Sequence, residues 1–234
     1  MERKRPIRNL RYFFAELLIL IIGITVSFAL NEYWLQKREQ KQEVLLLQSF
    51  KNNLINDSLF FSTGIEILDS QIESAEKLVL LEPTVIYNDS LVLNVVTLLS
   101  YLPFDPQDVT YEEMKSLGNT HIIQTDTLAK QLIELYDRTY EVVAEWAAID
   151  GDHVKNKLIT YTIDHFPFAP NLNFTLLSDR KKRQFVTSIQ TDEFKHLVQW
   201  ALIYKASTRA NFDNGLERIR SIIEQIDKEI GKAE

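Results

Sequence analysis

The chain has 234 residues, 45% hydrophobic and 25% charged, the balance of a folded protein rather than a disordered one. It has no cysteine, which excludes disulfide bonds, a thiolate nucleophile, a cysteine-ligated zinc site and an iron–sulfur cluster. A formal net charge of −7 argues against general nucleic-acid binding, and only 6 Gly and 6 Pro disfavour a turn-rich β fold.

The first element is an anchor. Arg3, Lys4, Arg5, Arg8 and Arg11 precede an apolar run from Phe13 to Leu30. Those 18 residues make about 27 Å of helix, close to the hydrocarbon thickness of a bilayer. Tyr12 at one end and Tyr33 and Trp34 at the other suit the two headgroup belts. The predicted organisation is a basic cytoplasmic tail over residues 1–11, a transmembrane helix over 12–34 and a helical domain over 35–234. The bias of basic residues toward the amino terminus places that terminus in the cytoplasm and the helical domain outside. Ser27-Phe28-Ala29 has the spacing of a signal-peptide cleavage site. The length of the run, the lack of a preceding breaker and the helical pattern that continues past it favour an uncleaved anchor.

Glu16 lies inside the run. A carboxylate in lipid is costly and marks a candidate polar site. Two uses compete: snorkelling toward the headgroups or Arg11, and a polar contact with another membrane helix, where Gly23, Thr25 and Ser27 permit close approach.

Beyond Leu30 the chain carries 21 Lys+Arg against 31 Asp+Glu, a net of −10. Its periodicity is helical. Leu47, Phe50, Leu54, Phe61, Ile65, Leu68, Ile72, Ala75 and Val79 step mostly by threes and fours, with Asp57 in one seam position and a kink expected at Gly64. Pro83 ends this helix. A short helix is predicted over Asp89–Tyr101, and another behind a capping box at Thr110-Tyr111-Glu112-Glu113, closed by Gly118. A helix capped by Asp126 or Thr125 runs to about His165, an irregular segment spans Asn171–Leu177, and helices begin near Asp179 and Asp192. In the last, Leu216, Ile219, Ile223, Ile226 and Ile230 form a narrow coiled-coil-like seam. The predicted fold is all-α: one transmembrane helix continuing into an antiparallel helical bundle. The seam has two uses, packing on the first helix or dimerisation.

Two segments resemble a family. Glu16 before Ile22-Gly23-Ile24, then Asn31, Trp34 and Leu54-Ile55-Asn56-Asp57, form the first. Tyr111-Glu112-Glu113-Met114-Lys115-Ser116-Leu117-Gly118 with Tyr136 and Tyr140 form the second. They look like an uncharacterised Bacteroidota family of single-pass membrane proteins. The departures are Ala15 where the family has Gly, and Glu32-Tyr33 where it has Asn and Trp. The resemblance implies a single-pass inner-membrane protein of unknown function and no catalytic residue.

No catalytic or cofactor motif stands out. There is no phosphate loop, dinucleotide fingerprint or nucleophile elbow. His121, His153, His165 and His196 have no metal-motif spacing. Asp150, Asp152 and His153 around Gly151 read as a solvated helix kink, and Trp146 and Trp200 as core. Two groups remain as candidate surfaces. Arg180, Lys181, Lys182 and Arg183 form a basic patch in an acidic domain, suited to an anionic lipid, polymer or partner or to solvent. Tyr101, Phe104, Tyr111, Phe166, Phe168 and Phe174 gather around the prolines, either plugging bundle ends or lining an aromatic groove. Asp57-Ser58-Leu59, Asp89-Ser90-Leu91 and Asp126-Thr127-Leu128 resemble an O-glycosylation acceptor pattern, and the last two also fall at helix caps.

The expectation is a non-enzymatic, membrane-anchored interaction or scaffold module. It needs no cofactor or metal, contacts membrane lipid, and binds an envelope protein or itself. The alternative is a periplasmic ligand-sensing or regulatory bundle that signals through its transmembrane helix to a partner membrane protein.

Overall fold

The computed structural model describes residues 7–118, 122–169 and 173–233, with side chains from Tyr12 onward save those of Thr175 and Ala233. Arg3, Lys4, Arg5, His121, Asn171, Leu172 and the side chains of Arg8 and Arg11 lie outside the described residues. The described chain is helical, with no strand among its residues.

α1 is a single helix over Ile7–Val79, 73 residues long. At 1.5 Å per residue it measures about 110 Å. Every side chain from Tyr12 to Glu39 is exposed; the first buried one is Leu47. The apolar N-terminal run therefore projects free of the bundle, and the predicted continuity of the two is present. The expected kink residue, Gly64, lies within this helix. A Cβ there would sit 2.7 Å from the Phe212 ring of the last helix, so the missing side chain makes room for close helix packing.

α2 (Asp89–Leu98) is shorter than predicted. Leu99 ends it, and Asn88 rather than Asp89 caps it by accepting from the Leu91 amide at 2.8 Å. α3 (Val109–Ser116) begins two residues earlier than the expected capping box. Asp108 is its N-cap, and Thr110, inside the helix, accepts from the Asn53 amide side chain at 2.9 Å. Gly118 closes it with φ of 66°, a left-handed conformation that glycine adopts without strain. The predicted helix to His165 is present as α4 (Asp126–Glu134), α5 (Tyr140–His153) and α6 (Ile159–His165), joined by π turns at Leu135–Thr139 and Val154–Leu158. The wider π turn lets neighbours in sequence share one buried face, as Leu135 with Tyr136 and Thr139 with Tyr140 do. A 3₁₀ turn at Phe174–Leu176 precedes α7 (Asp179–Ile189) and α8 (Asp192–Ala233).

α8 runs back along α1. Lys51 pairs with Asp227 at 2.6 Å and Asp69 with Arg209 at 2.9 Å, which fixes an antiparallel register. The isoleucine seam is consumed here: Leu216, Ile219 and Ile226 are buried in one core with Leu47, Phe50 and Leu54. Ile223 and Ile230 pack half-buried against the same core. Each such side chain contributes about 1.5–3 kcal/mol when fully buried.

There are two apolar cores. The first joins the middle of α1 to the second half of α8, with Leu128, Leu132 and Tyr140. The second joins Ala75 and Leu78 to α2, Leu158, Phe166, Phe185, Phe194 and Val198. Between them on α8 lie Lys205 and Thr208, on α1 Gln71 and Ser74, on α5 Asp150 and His153, all buried. The predicted seam of α1 shifts at this level: Gln71, Ser74 and Leu78 are buried, while Ile72 and Val79 are only half-buried.

Candidate functional site

Among the described residues two polar groupings are built on a buried carboxylate, Asp150 in one and Asp57 in the other. In the layer between the cores, Lys205 donates to Asp150 Oδ2 at 3.0 Å and to the Ser100 carbonyl at 2.9 Å. Gln71 donates to the Ser100 hydroxyl at 2.8 Å. His153 meets the Leu197 carbonyl at 2.9 Å. Asp150 Oδ1 and Gln71 Oε1 are buried without a protein partner. Burial pushes the Asp150 carboxyl up and the Lys205 ammonium down, and each opposes the shift of the other. Burial also lowers the His153 imidazole. The expected solvated kink at 150–153 is therefore corrected. Asp150 and His153 face inward, and only Asp152 is exposed, bonded to Asn156 at 2.6 Å. No group of three metal-ligating side chains occurs among the described residues.

The second grouping crosses the first core. Tyr140 donates to Asp57 Oδ2 at 2.7 Å, and the Gln107 amide donates to Asp57 Oδ1 at 3.2 Å. Tyr136 donates to the Gln107 carbonyl at 3.3 Å. Burial raises Asp57, against the two hydrogen bonds. It also raises Tyr140 and Tyr136. These bonds hold the connection before α3 onto α1. They also enclose Asp57, so the first of the three acceptor-like triplets has a buried aspartate.

The six aromatics do not form one groove. Phe104 stacks on Phe61 at 5.1 Å and Tyr111 on Tyr136 at 4.6 Å, both within the first core. Tyr101, Phe166 and Phe174 belong to the second. Phe168 is 77% exposed. The expectation of a single cluster fails because the connection between α2 and α3 divides its aromatics, Tyr101 on the second core and Phe104 on the first, while Phe166 and Phe174 stay on the second. Trp200, expected in the core, is 41% exposed and lies against Tyr204 at 5.6 Å, while Trp146 is half-buried.

The basic patch opens α7. Lys181 donates to the Phe168 carbonyl at 2.9 Å and lies 5.6 Å from the centre of its ring. Lys182 lies 5.2 Å from the centre of the Tyr87 ring. Arg180 and Arg183 are exposed. Beside the patch, α6 and the Phe166–Ala169 segment border an open apolar groove. Sequence reasoning singled out both partners of this arrangement without placing them together.

At the other end, Glu16, Tyr12, Tyr33 and Trp34 are all exposed on α1. Glu16, Leu20, Gly23, Ser27 and Asn31 succeed one another by steps of three or four and share one face. The Ser27 hydroxyl is spent on the Gly23 carbonyl at 2.8 Å and that of Thr25 on Ile21 at 2.9 Å. α1 is the one described helix long and apolar enough to cross a membrane.

Lys205 and the π turns escaped the sequence reading. A signal for Lys205 was present: Val198, Ala201, Lys205, Thr208 and Phe212 keep the three-four spacing of a buried seam. Compared with protein-family models, with curated proteins and with solved structures, the chain matches none.

Proposed function

We propose that this protein is a single-pass, membrane-anchored interaction module, its helical bundle carried outside the inner membrane on the anchor helix. The observation that supports this reading is the run from Tyr12 to Leu35, apolar over most of its length and exposed throughout. So large an apolar surface is unfavourable in water and satisfied in lipid. Glu16 and the small residues Gly23 and Ser27 on its face favour a contact with another membrane helix. Two copies would set Glu16 against Glu16. A partner helix bearing Lys or Arg would neutralise it, so the partner is a different membrane protein. The module holds and positions that partner and performs no chemistry of its own.

A carboxyl-terminal tag and external protease on intact spheroplasts test the reading. Loss of the tag from membrane-bound full-length protein is expected. Protection would reverse the topology, and a shortened soluble form would establish cleavage after Ala29. For the partner, site-specific cross-linking from position 27 should capture a second protein in the native chain and lose it in Glu16→Leu.

A second reading, a ligand-sensing bundle, is favoured by the open groove beside α7.

A further inference from the structure

The five most exposed large apolar side chains among the described residues are Leu80, Ile86, Ile163, Phe168 and Leu176, at 74–81% of full exposure. All five belong to the half of the bundle remote from the anchor run, built on the second core. Two of them, Ile163 and Phe168, border one groove of about 630 Å³, together with Leu99, Ile159, Phe166 and Phe174. That volume is in the range of small-molecule sites. Among the described lining residues the one polar side chain is Thr162, its hydroxyl spent on the Ile159 carbonyl at 2.7 Å. The groove therefore offers an apolar chain a dry surface and offers a polar body nothing.

The rim supplies the opposite chemistry. Lys181 is tied to Phe168, a bordering residue, by both its hydrogen bond and its ring contact. Arg180, Lys182 and Arg183 adjoin it on the first turns of α7, and none of the four joins an ion pair among the described residues. Asp164 and Asp179 are the nearby acids in sequence, so the rim is positive within a chain whose net charge is −7. Apolar cleft and cationic rim together fit one kind of occupant.

We propose that this groove binds a single-chain amphiphile with an anionic head, of the fatty-acid class, its chain along Ile159, Ile163 and Phe166 and its head at Lys181 and Arg180. The proposal stands on the groove and its rim and holds whichever side of a membrane the bundle occupies. A neutral chain would leave the rim charges unused, and a small inorganic anion would leave the apolar walls exposed.

The test uses full-length protein in zwitterionic lipid nanodiscs with a diazirine-bearing palmitate, and maps the photolabel by peptide mass spectrometry. Label is expected within residues 159–177, displaced by unlabelled palmitate. It should fall about tenfold in Ile163→Glu and, independently, in Phe168→Asp, both at positions already exposed to water. Arg180→Glu with Lys181→Glu should lower it by a similar factor, and a diazirine-bearing hexadecanol should label about tenfold less. Label confined to residues 12–35 would overturn the site. Equal labelling by the alcohol, unchanged in the charge-reversed variant, would overturn the anionic head. A copy-to-copy cross-link from Phe168→Cys that palmitate does not displace would make the face a self-interface and also overturn it.

Discussion

Lys205 of α8 and Asp150 of α5 face each other at 3.0 Å with side chains 0% and 2% exposed. They sit in the polar layer between two apolar cores. A lone charge there is far costlier than the pair is valuable. Lys205→Met is expected to lower stability by about 3–5 kcal/mol because it strands Asp150. The double variant Asp150→Leu with Lys205→Met should recover most of that loss. Denaturant unfolding of full-length protein in micelles, followed by tryptophan fluorescence, checks both. Equal losses in the single and double variants would remove the ion-pair account.

Asp57 offers a second case with a distinct sign. Tyr140→Phe deletes one buried hydrogen bond and should cost about 1 kcal/mol. Asp57→Ala leaves both the Tyr140 hydroxyl and the Gln107 amide unpaired and should cost about 2–4 kcal/mol. The folded pKa of Asp57 lies above its ordinary 3.8, so its protonated form is the one the fold favours. That contribution is complete below pH 3.8 and is lost as pH rises through the folded value. The stability of the native chain relative to Asp57→Asn should therefore fall between those limits and then level. A flat difference across that range would refute it.

His153 has the opposite dependence. Burial holds its folded pKa below the ordinary 6.5, so its contribution is present above pH 6.5 and lost as pH falls through the folded value. Asp150 opposes this shift, while Lys205 and Lys157 reinforce it. His153→Gln should flatten the decline in melting temperature on acidification below pH 6.5. An unchanged slope would place the acid sensitivity elsewhere.

Gly64→Ala tests the contact between α1 and α8. Its new Cβ would meet the Phe212 ring at 2.7 Å, and overpacking of this kind costs about 1–3 kcal/mol. Adding Phe212→Leu should relieve the clash, giving a double variant more stable than the sum of the singles. At exposed Gly23, where a Cβ would meet nothing within 4 Å, alanine should leave the bundle's stability unchanged.

Much of this fold was legible because helical spacing is a local signal. Leu47, Phe50, Leu54 and the α8 isoleucines mark their buried faces in the sequence, and Pro83 and Gly118 mark ends. The capping box at Thr110 misled because Asp108, two residues earlier, begins the helix in its place. The Asp150–Lys205 pair spans 55 residues and can only be recognised once α5 and α8 lie together. The aromatic candidates failed for the same reason, since Tyr101 and Phe104, three residues apart in one connection, turn to different cores. The basic patch and Phe168 were each visible, but the Lys181 contact that joins them belongs to tertiary structure.

The unbroken run of α1 turns the anchor into a ruler. From Leu35 to Val79 the helix advances about 66 Å. Anchored as proposed, the groove and its basic rim stand at a set height above the lipid. A flexible linker would let them sweep a volume, whereas this shaft confines them to one level and ties their azimuth to rotation of the anchor. Partners or amphiphiles would be met only where that level is reached. Inserting one residue near Lys37, where the shaft is bare, would turn the bundle by about 100° while raising it only about 1.5 Å, separating orientation from height.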